Sequence, residues 1–163
     1  MRERSTHLTP THTRTDPWRS DGSSTPSDFS PASRPAFKRA VELARSLRSQ
    51  LLIVHVMGPL PIIGEGYITP ETVETLLQSQ RHLAQRQLRV LVTRAETAGV
   101  RASGLLVETG MPHEQIVRVA RRKRADMIAM GTHGRTGLTR LLLGSVAARV
   151  IATAKCPVLT VHA

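Results

Sequence analysis

The densest chemistry in the sequence is a run of glycines ending in a serine. In GTHGRTGLTRLLLGSV, glycines stand at 131, 134, 137 and 144, and Ser145 follows the last. Gly131 lets backbone approach a ligand with no Cβ in the way, while Gly134 and Gly137 permit φ > 0 turns that aim successive amides inward. Gly144 and Ser145 stand near a helix start, where unpaired N–H groups and the positive end of the helix dipole favour an anion. Arg135 and Arg140 add formal charge beside them. This is the chemistry of holding phosphate, but not in either common pattern. GxxxxGK[ST] requires glycine where Thr136 stands, and GxGxxG fails here as well. Gly64-Glu65-Gly66 lacks a third glycine and does not closely follow a strand.

Other reactive side chains are sparse. His133 lies inside the glycine loop, positioned either to touch phosphate or to be solvated, and His55 on an apolar run reads as a hydrogen-bonded core residue. Seven histidines accompany a single cysteine, Cys156, and His7 and His12 sit in a polar tail, so no convergent metal-ligand set is expected. The run Arg121, Arg122, Lys123, Arg124 reads as a solvated helix end whose cations complement the helix C-terminus.

Elements that position the loop follow from periodicity. SPASRPAFKRAVELARSLRS places Ala36, Phe37, Ala40, Val41, Ala44 and Leu47 at helical spacing behind a Ser30 or Ser33 cap. LLIVHVM at 51–57 is a short apolar run without polar alternation, the pattern of a strand buried on both faces of a parallel sheet. From Thr69 or Pro70 a long helical pattern runs to Gly99, about 40 Å at ~1.5 Å per residue. A strand at 100–110, a helix from Pro112, a strand at 125–131, a closing helix through LLLGSVAARVIATA and a terminal strand at 156–163 complete the order. Strands alternating with helices imply a parallel sheet with right-handed crossovers. In such sheets ligands bind beyond the carboxyl ends of the strands, where the loop after DMIAM falls.

The chain has 163 residues, the size of one domain. Its composition is 40% hydrophobic but only 2% aromatic, which implies a Leu, Val, Ile and Ala core and argues against base-stacking recognition of single strands. Lys and Arg number 23 against 12 Asp and Glu, a net charge of +11 that speeds encounter with polyanions. One cysteine excludes an intrachain disulfide and fits a reducing compartment. No apolar stretch approaches a membrane span or a signal-peptide core, so a cytoplasmic location is expected, with neither membrane nor nucleic acid as partner. Residues 1–24 are rich in Ser, Thr, Pro and Arg and are expected to form a disordered tail ahead of a domain at 25–163.

The spacing Gly-x2-Gly-x9-Gly-[Ser/Thr], met by Gly131, Gly134, Gly144 and Ser145, resembles that of the universal stress protein family. The resemblance extends over PSDFSPASRPAFKRAVELA, LLIVHVM, GMPHEQIVRVARRKRADMIAMGTHGRTGLTRLLLGSVAARVI and KCPVLTVHA, from about Pro26 to the end. It implies an α/β fold, an open five-stranded parallel sheet with helices on both faces, Rossmann-like and of the adenine nucleotide α-hydrolase-like type. Retention of the glycine motif implies the ATP-binding subtype, a regulatory stress-response protein with at most slow hydrolysis. By the same resemblance Pro26 and Asp28 lie near adenine and ribose, and Val56 offers backbone hydrogen bonds to the adenine edge. Gly131, Thr132, His133, Gly134, Arg135, Thr136 and Gly137 wrap ribose and phosphates, and Gly144, Ser145, Val146 and Ala147 hold the phosphates. Mg²⁺ or Mn²⁺ is then held mainly by the phosphates, and Val158 to Val161 pair two copies into a homodimer. Alternatives are an interaction module of the same fold without nucleotide, or a slow ATPase.

One departure stands out. Where the family has an apolar first strand running into Pro26-x-Asp28, this chain has DPWRSDGSST, so the central strand is expected to be degraded or missing. Three explanations are open: the segment crosses the sheet with irregular pairing, another part of the tail substitutes, or the stated start is not the natural one. The Ser/Thr/Arg/Pro-rich texture favours the third.

Overall fold

A computed structural model describes residues 22–58, 69–133 and 143–162. Its strands are β1 (Gly22–Pro26), β2 (Gln50–Val56), β3 (Ala102–Val107), β4 (Met127–Gly131) and β5 (Val158–Val161). All pair in parallel, in the order β3-β2-β1-β4-β5. Among the described residues four helices return the chain: α1 (Arg34–Ser46), entered through a 3-10 turn at Pro31–Ser33, then α2 (Pro70–Thr97), α3 (Pro112–Arg122) and α4 (Ser145–Thr153).

The two faces of the sheet are covered by different helices because strand side chains alternate. On one face Leu51, Ile53 and Ala129 pack against Ala40 and Ala44 of α1 and Leu88 and Ala95 of α2. On the other, Ile128 and Met130 pack against Ile116 and Ala120 of α3 and Ala147 and Val150 of α4. Alanines at the α1 contact let that helix lie close to the strands. The expected open five-stranded α/β sheet with helices on both faces is therefore the fold.

The expectation of a missing first strand is corrected. β1 is present at the centre of the sheet, with Gly22 to Pro26 in unbroken register beside Gln50 to Val54. Ser23 and Ser24 also pair with Met127 and Ile128 on the other side. Its boundary moves too: residues 22–24, expected in the tail, belong to the sheet, and residues 1–21 lie outside the described part. The physical reason is that a strand's slot is specified by main-chain pairing, and Gly-Ser-Ser-Thr-Pro is small enough to enter it. At the entry, the Gly22 N–H donates to Asp126 Oδ2 at 3.1 Å while the Asp126 N–H donates to the Gly22 carbonyl at 2.9 Å. The buried groups are hydroxyls rather than charges. Ser23, Ser24 and Thr25 are at most 2% exposed, and none of their hydroxyls has a hydrogen-bond partner. Each such group costs about 1–3 kcal/mol.

Candidate functional site

The chain leaves β1 towards β2 and β3 on one side and reaches β4 and β5 on the other. A parallel sheet opens a crevice at this reversal, outside the strands' carboxyl ends. A cleft of about 330 Å³ lies there, bounded by the ends of β1, β2 and β4 and the start of α4.

The β1 side is a loop held by its own side chains. The Phe29 N–H donates to Ser27 Oγ at 3.1 Å, and Ser30 donates its N–H and its hydroxyl to Asp28 Oδ1 at 3.0 and 2.7 Å. Phe29 takes φ 63°, a conformation that costs an aromatic residue of order 1–3 kcal/mol. Two contacts hold it: its ring stacks on His55 with centroids 4.1 Å apart, and His55 Nδ1–H donates to the Ser27 carbonyl at 2.7 Å. His55 is thus the buried, hydrogen-bonded residue expected, 5% exposed, and it also lines the cleft.

The β2 wall supplies backbone. The Val54 carbonyl accepts the Ser27 N–H at 2.9 Å, and β1 ends at Pro26. Val56, two residues on, presents its main chain to the same side of the strand, past the end of β1.

Two glycines join β4 to α4. A Cβ on Gly144 would lie 2.8 Å from the Thr132 carbonyl oxygen, which accepts the Gly144 N–H at 2.8 Å. Only glycine allows that approach. A Cβ on Gly131 would lie 3.2 Å from the Ala32 carbonyl. Gly144 caps α4 without any side-chain hydrogen bond, and the first helical turn closes with the Ala148 N–H on the Gly144 carbonyl at 2.9 Å. The N–H groups of Ser145, Val146 and Ala147 are therefore the helix's unpaired donors, at the positive end of its dipole, on residues that line the cleft.

The structure brings together Pro26, Asp28, Val56, Gly131, Thr132, His133, Gly144, Ser145, Val146 and Ala147 around this cleft. Gly134, Arg135, Thr136 and Gly137 lie outside the described residues, as does Gly64-Glu65-Gly66. Among the lining residues that sequence reasoning missed are the serines Ser27 and Ser33 and the apolar pair Ile116 and Met130. The apolar pair gave no separate signal, because a cleft wall and a core have the same periodicity. The two serines belong to the loop after the first strand and are legible as such once the strand is placed.

Asp28 is the carboxylate among the lining residues. No group of three or more His, Cys, Asp or Glu able to hold a metal exists among the described residues. Cys156 is remote from the cleft, and burial pushes its thiol up from the ordinary value, with Asp126 adding to the effect. Among the described residues no helix is long and apolar enough to cross a membrane.

Residues 25–162 match the sequence profile of the universal stress protein family. Universal stress protein MJ0531 of Methanocaldococcus jannaschii is 40% identical over 139 residues, 83% of this chain and 78% of that protein. A universal stress family protein from Burkholderia pseudomallei superposes with a TM-score of 0.69 at 28% identity, covering 88% of this chain and 96% of the other. A universal stress protein solved in complex with cAMP superposes with a TM-score of 0.63 at 26% identity, covering 88% and 98%.

Proposed function

This chain belongs to the universal stress protein family, and from that premise we propose that it binds ATP reversibly in the cleft at the β1/β4 reversal and acts as a regulatory stress-response protein. The observation that carries the reading is the join between β4 and α4. Gly144 is pressed against the Thr132 carbonyl, which aims three uncapped N–H groups into a cleft of about 330 Å³, within the size range of small-molecule sites. The cAMP complex of a relative supports the ligand class.

Pro26 and Asp28 stand on the adenine and ribose side, and the Val56 main chain faces the adenine edge. Gly131, Thr132 and His133 flank the ribose and phosphates, and Ser145, Val146 and Ala147 hold the phosphates through main-chain donors. The Ser145 hydroxyl adds one more donor. Gly134, Arg135, Thr136 and Gly137, outside the described residues, are assigned to the same ribose and phosphate contacts. The donor set fits a metal brought in on the nucleotide: Asp28 Oδ1 already accepts two hydrogen bonds from Ser30, so Mg²⁺ or Mn²⁺ takes its ligands mainly from the phosphates. Bound there, the ion supplies charge neutralisation. Turnover is slow at most in this reading, which assigns the described lining residues to holding the nucleotide rather than to nucleophile or general base. The chain is a cytoplasmic homodimer in this reading, joined through Val158 to Val161, because among the described residues β5 ends the sheet with an unpaired edge.

The test is equilibrium binding of a fluorescent ATP analogue with and without Mg²⁺, alongside phosphate release and light scattering. Saturable micromolar binding with a dimer mass is expected. Absence of binding overturns the nucleotide reading in favour of an interaction module, and a monomer mass at tens of micromolar overturns the dimer.

A further inference from the structure

Thr132 follows the last residue of β4 and is 2% exposed. Its hydroxyl oxygen lies 3.0 Å from Nδ1 of His133 and 3.2 Å from Nδ1 of His162. The two rings do not stack, with centroids 6.4 Å apart and planes tilted by 48°, so their hydrogen-bonded connection is the hydroxyl. His133 lines the cleft, and its Nε2 is buried with no hydrogen-bond partner. His162 is exposed just beyond β5, where it lines a second cavity of about 470 Å³ between α1 and β5, together with Arg39 and Glu42.

A hydroxyl has one proton to give, and a neutral imidazole carries one proton on either of its nitrogens. If Thr132 donates to His133 Nδ1, the His133 proton sits on Nε2, and His162 must donate its own Nδ1–H to the hydroxyl oxygen. If Thr132 donates to His162 instead, His133 donates Nδ1–H and its Nε2 becomes an acceptor. Both states hold the same number of protons, so passing between them needs only hydroxyl rotation and a tautomer change in each ring, with water carrying the proton between nitrogens.

We propose that this shared hydroxyl proton couples the cleft to the exposed edge of the sheet, so that an anionic oxygen in the cleft sets the tautomer of His162. An acceptor such as a phosphate oxygen selects Nε2–H on His133, which turns the Thr132 proton inward and requires Nδ1–H on His162. A ligand presenting an N–H to His133 selects the reverse. The edge surface beside β5 thereby presents the same His162 Nε2 as an acceptor in the first state and as an N–H donor in the second, for a partner to read. The inference deepens the nucleotide reading of the cleft and rests on it for the identity of the anion.

The experiment is long-range proton–nitrogen correlation of the full chain with isotope-labelled histidine, free, with ATP and with adenosine. In the free protein the two rings are expected to be complementary, one Nδ1–H and one Nε2–H. ATP should drive His133 to Nε2–H and His162 to Nδ1–H, and adenosine should not. Thr132→Val should abolish the His162 response, and Thr132→Ser should restore it. The coupling is overturned if ATP binds while His162 is unchanged, if His133 takes up a second proton on binding, or if Thr132→Val responds like the parent. Calorimetry on the same samples separates the two claims: if ATP gives no heat the nucleotide reading falls, while complementary tautomers in the free protein, and their loss in Thr132→Val, still decide the coupling.

Discussion

The two ends of the sheet handle charge in opposite ways. At the amino end the helices finish, and Arg45, Arg48, Arg94, Arg101, Arg121, Arg122, Lys123, Arg124 and Lys155 all lie exposed there. Several occupy last helical turns, where a cation offsets unpaired carbonyls. The lining of the cleft at the carboxyl end includes no Arg or Lys among the described residues, and the start of α4 brings main-chain N–H groups to it. A net charge of +11 suggests an anion site wherever arginines cluster, yet the anion site proposed above is at the other end. Exposed guanidinium groups attract from a distance and are screened by salt, whereas a fixed set of amides beside a helix start selects shape.

The largest test of this contrast is Gly144→Ala. The added Cβ would lie 2.8 Å from the Thr132 carbonyl, so α4 must move away from β4. ATP affinity should fall about twentyfold or more, ~1.8 kcal/mol by calorimetry. A change under threefold would mean that the α4 donors are not the phosphate site. Ser145→Ala removes one hydroxyl and leaves the amides in place. It should cost about 1 kcal/mol, the net worth of a typical hydrogen bond, because the main-chain donors remain. A larger loss than in Gly144→Ala would shift the weight from main chain to side chain.

Thr25→Val probes the strand between the two ends. Thr25 is fully buried with an unpartnered hydroxyl, and valine has nearly the same shape. Urea denaturation should show the variant more stable by about 1 kcal/mol, since an unmet hydrogen-bonding group is removed. Destabilisation would show that the hydroxyl has a partner. At the amino end, Arg122→Ala should alter ATP affinity less than twofold at physiological salt, in keeping with screened attraction over a distance of about a Debye length or more. The smallest effect is on Cys156. Burial raises its thiol pKa, so less thiolate is present at a given pH near neutrality, and alkylation should run slower than for free cysteine.

Much of this arrangement was legible in the sequence. LLIVHVM, apolar apart from His55, and the MIAM of DMIAM mark buried strands β2 and β4, and the glycine after the second locates the cleft. The alanines and valines of α4 announce a helix, but it begins at Ser145 with Gly144 as its cap, inside the run LLLGSVAARVIATA that reads as helical throughout. β1 was not legible, because GSSTP offers neither β-branched periodicity nor hydrophobicity. Its strand identity is conferred by pairing with β2 and β4, which no local pattern encodes. The link from Thr132 to His162 was equally hidden, since it joins residues thirty positions apart through the β4–β5 pairing.

The most direct measurement is the map of amide chemical-shift changes when ATP is titrated into the full chain. The largest changes are expected at the carboxyl end, on Val56, Gly131, Ser145, Val146 and Ala147, with little change over 121–124 and Lys155. Largest changes on the basic helix end, with Ser145 to Ala147 unmoved, would contradict the proposed site and place the anion among the arginines.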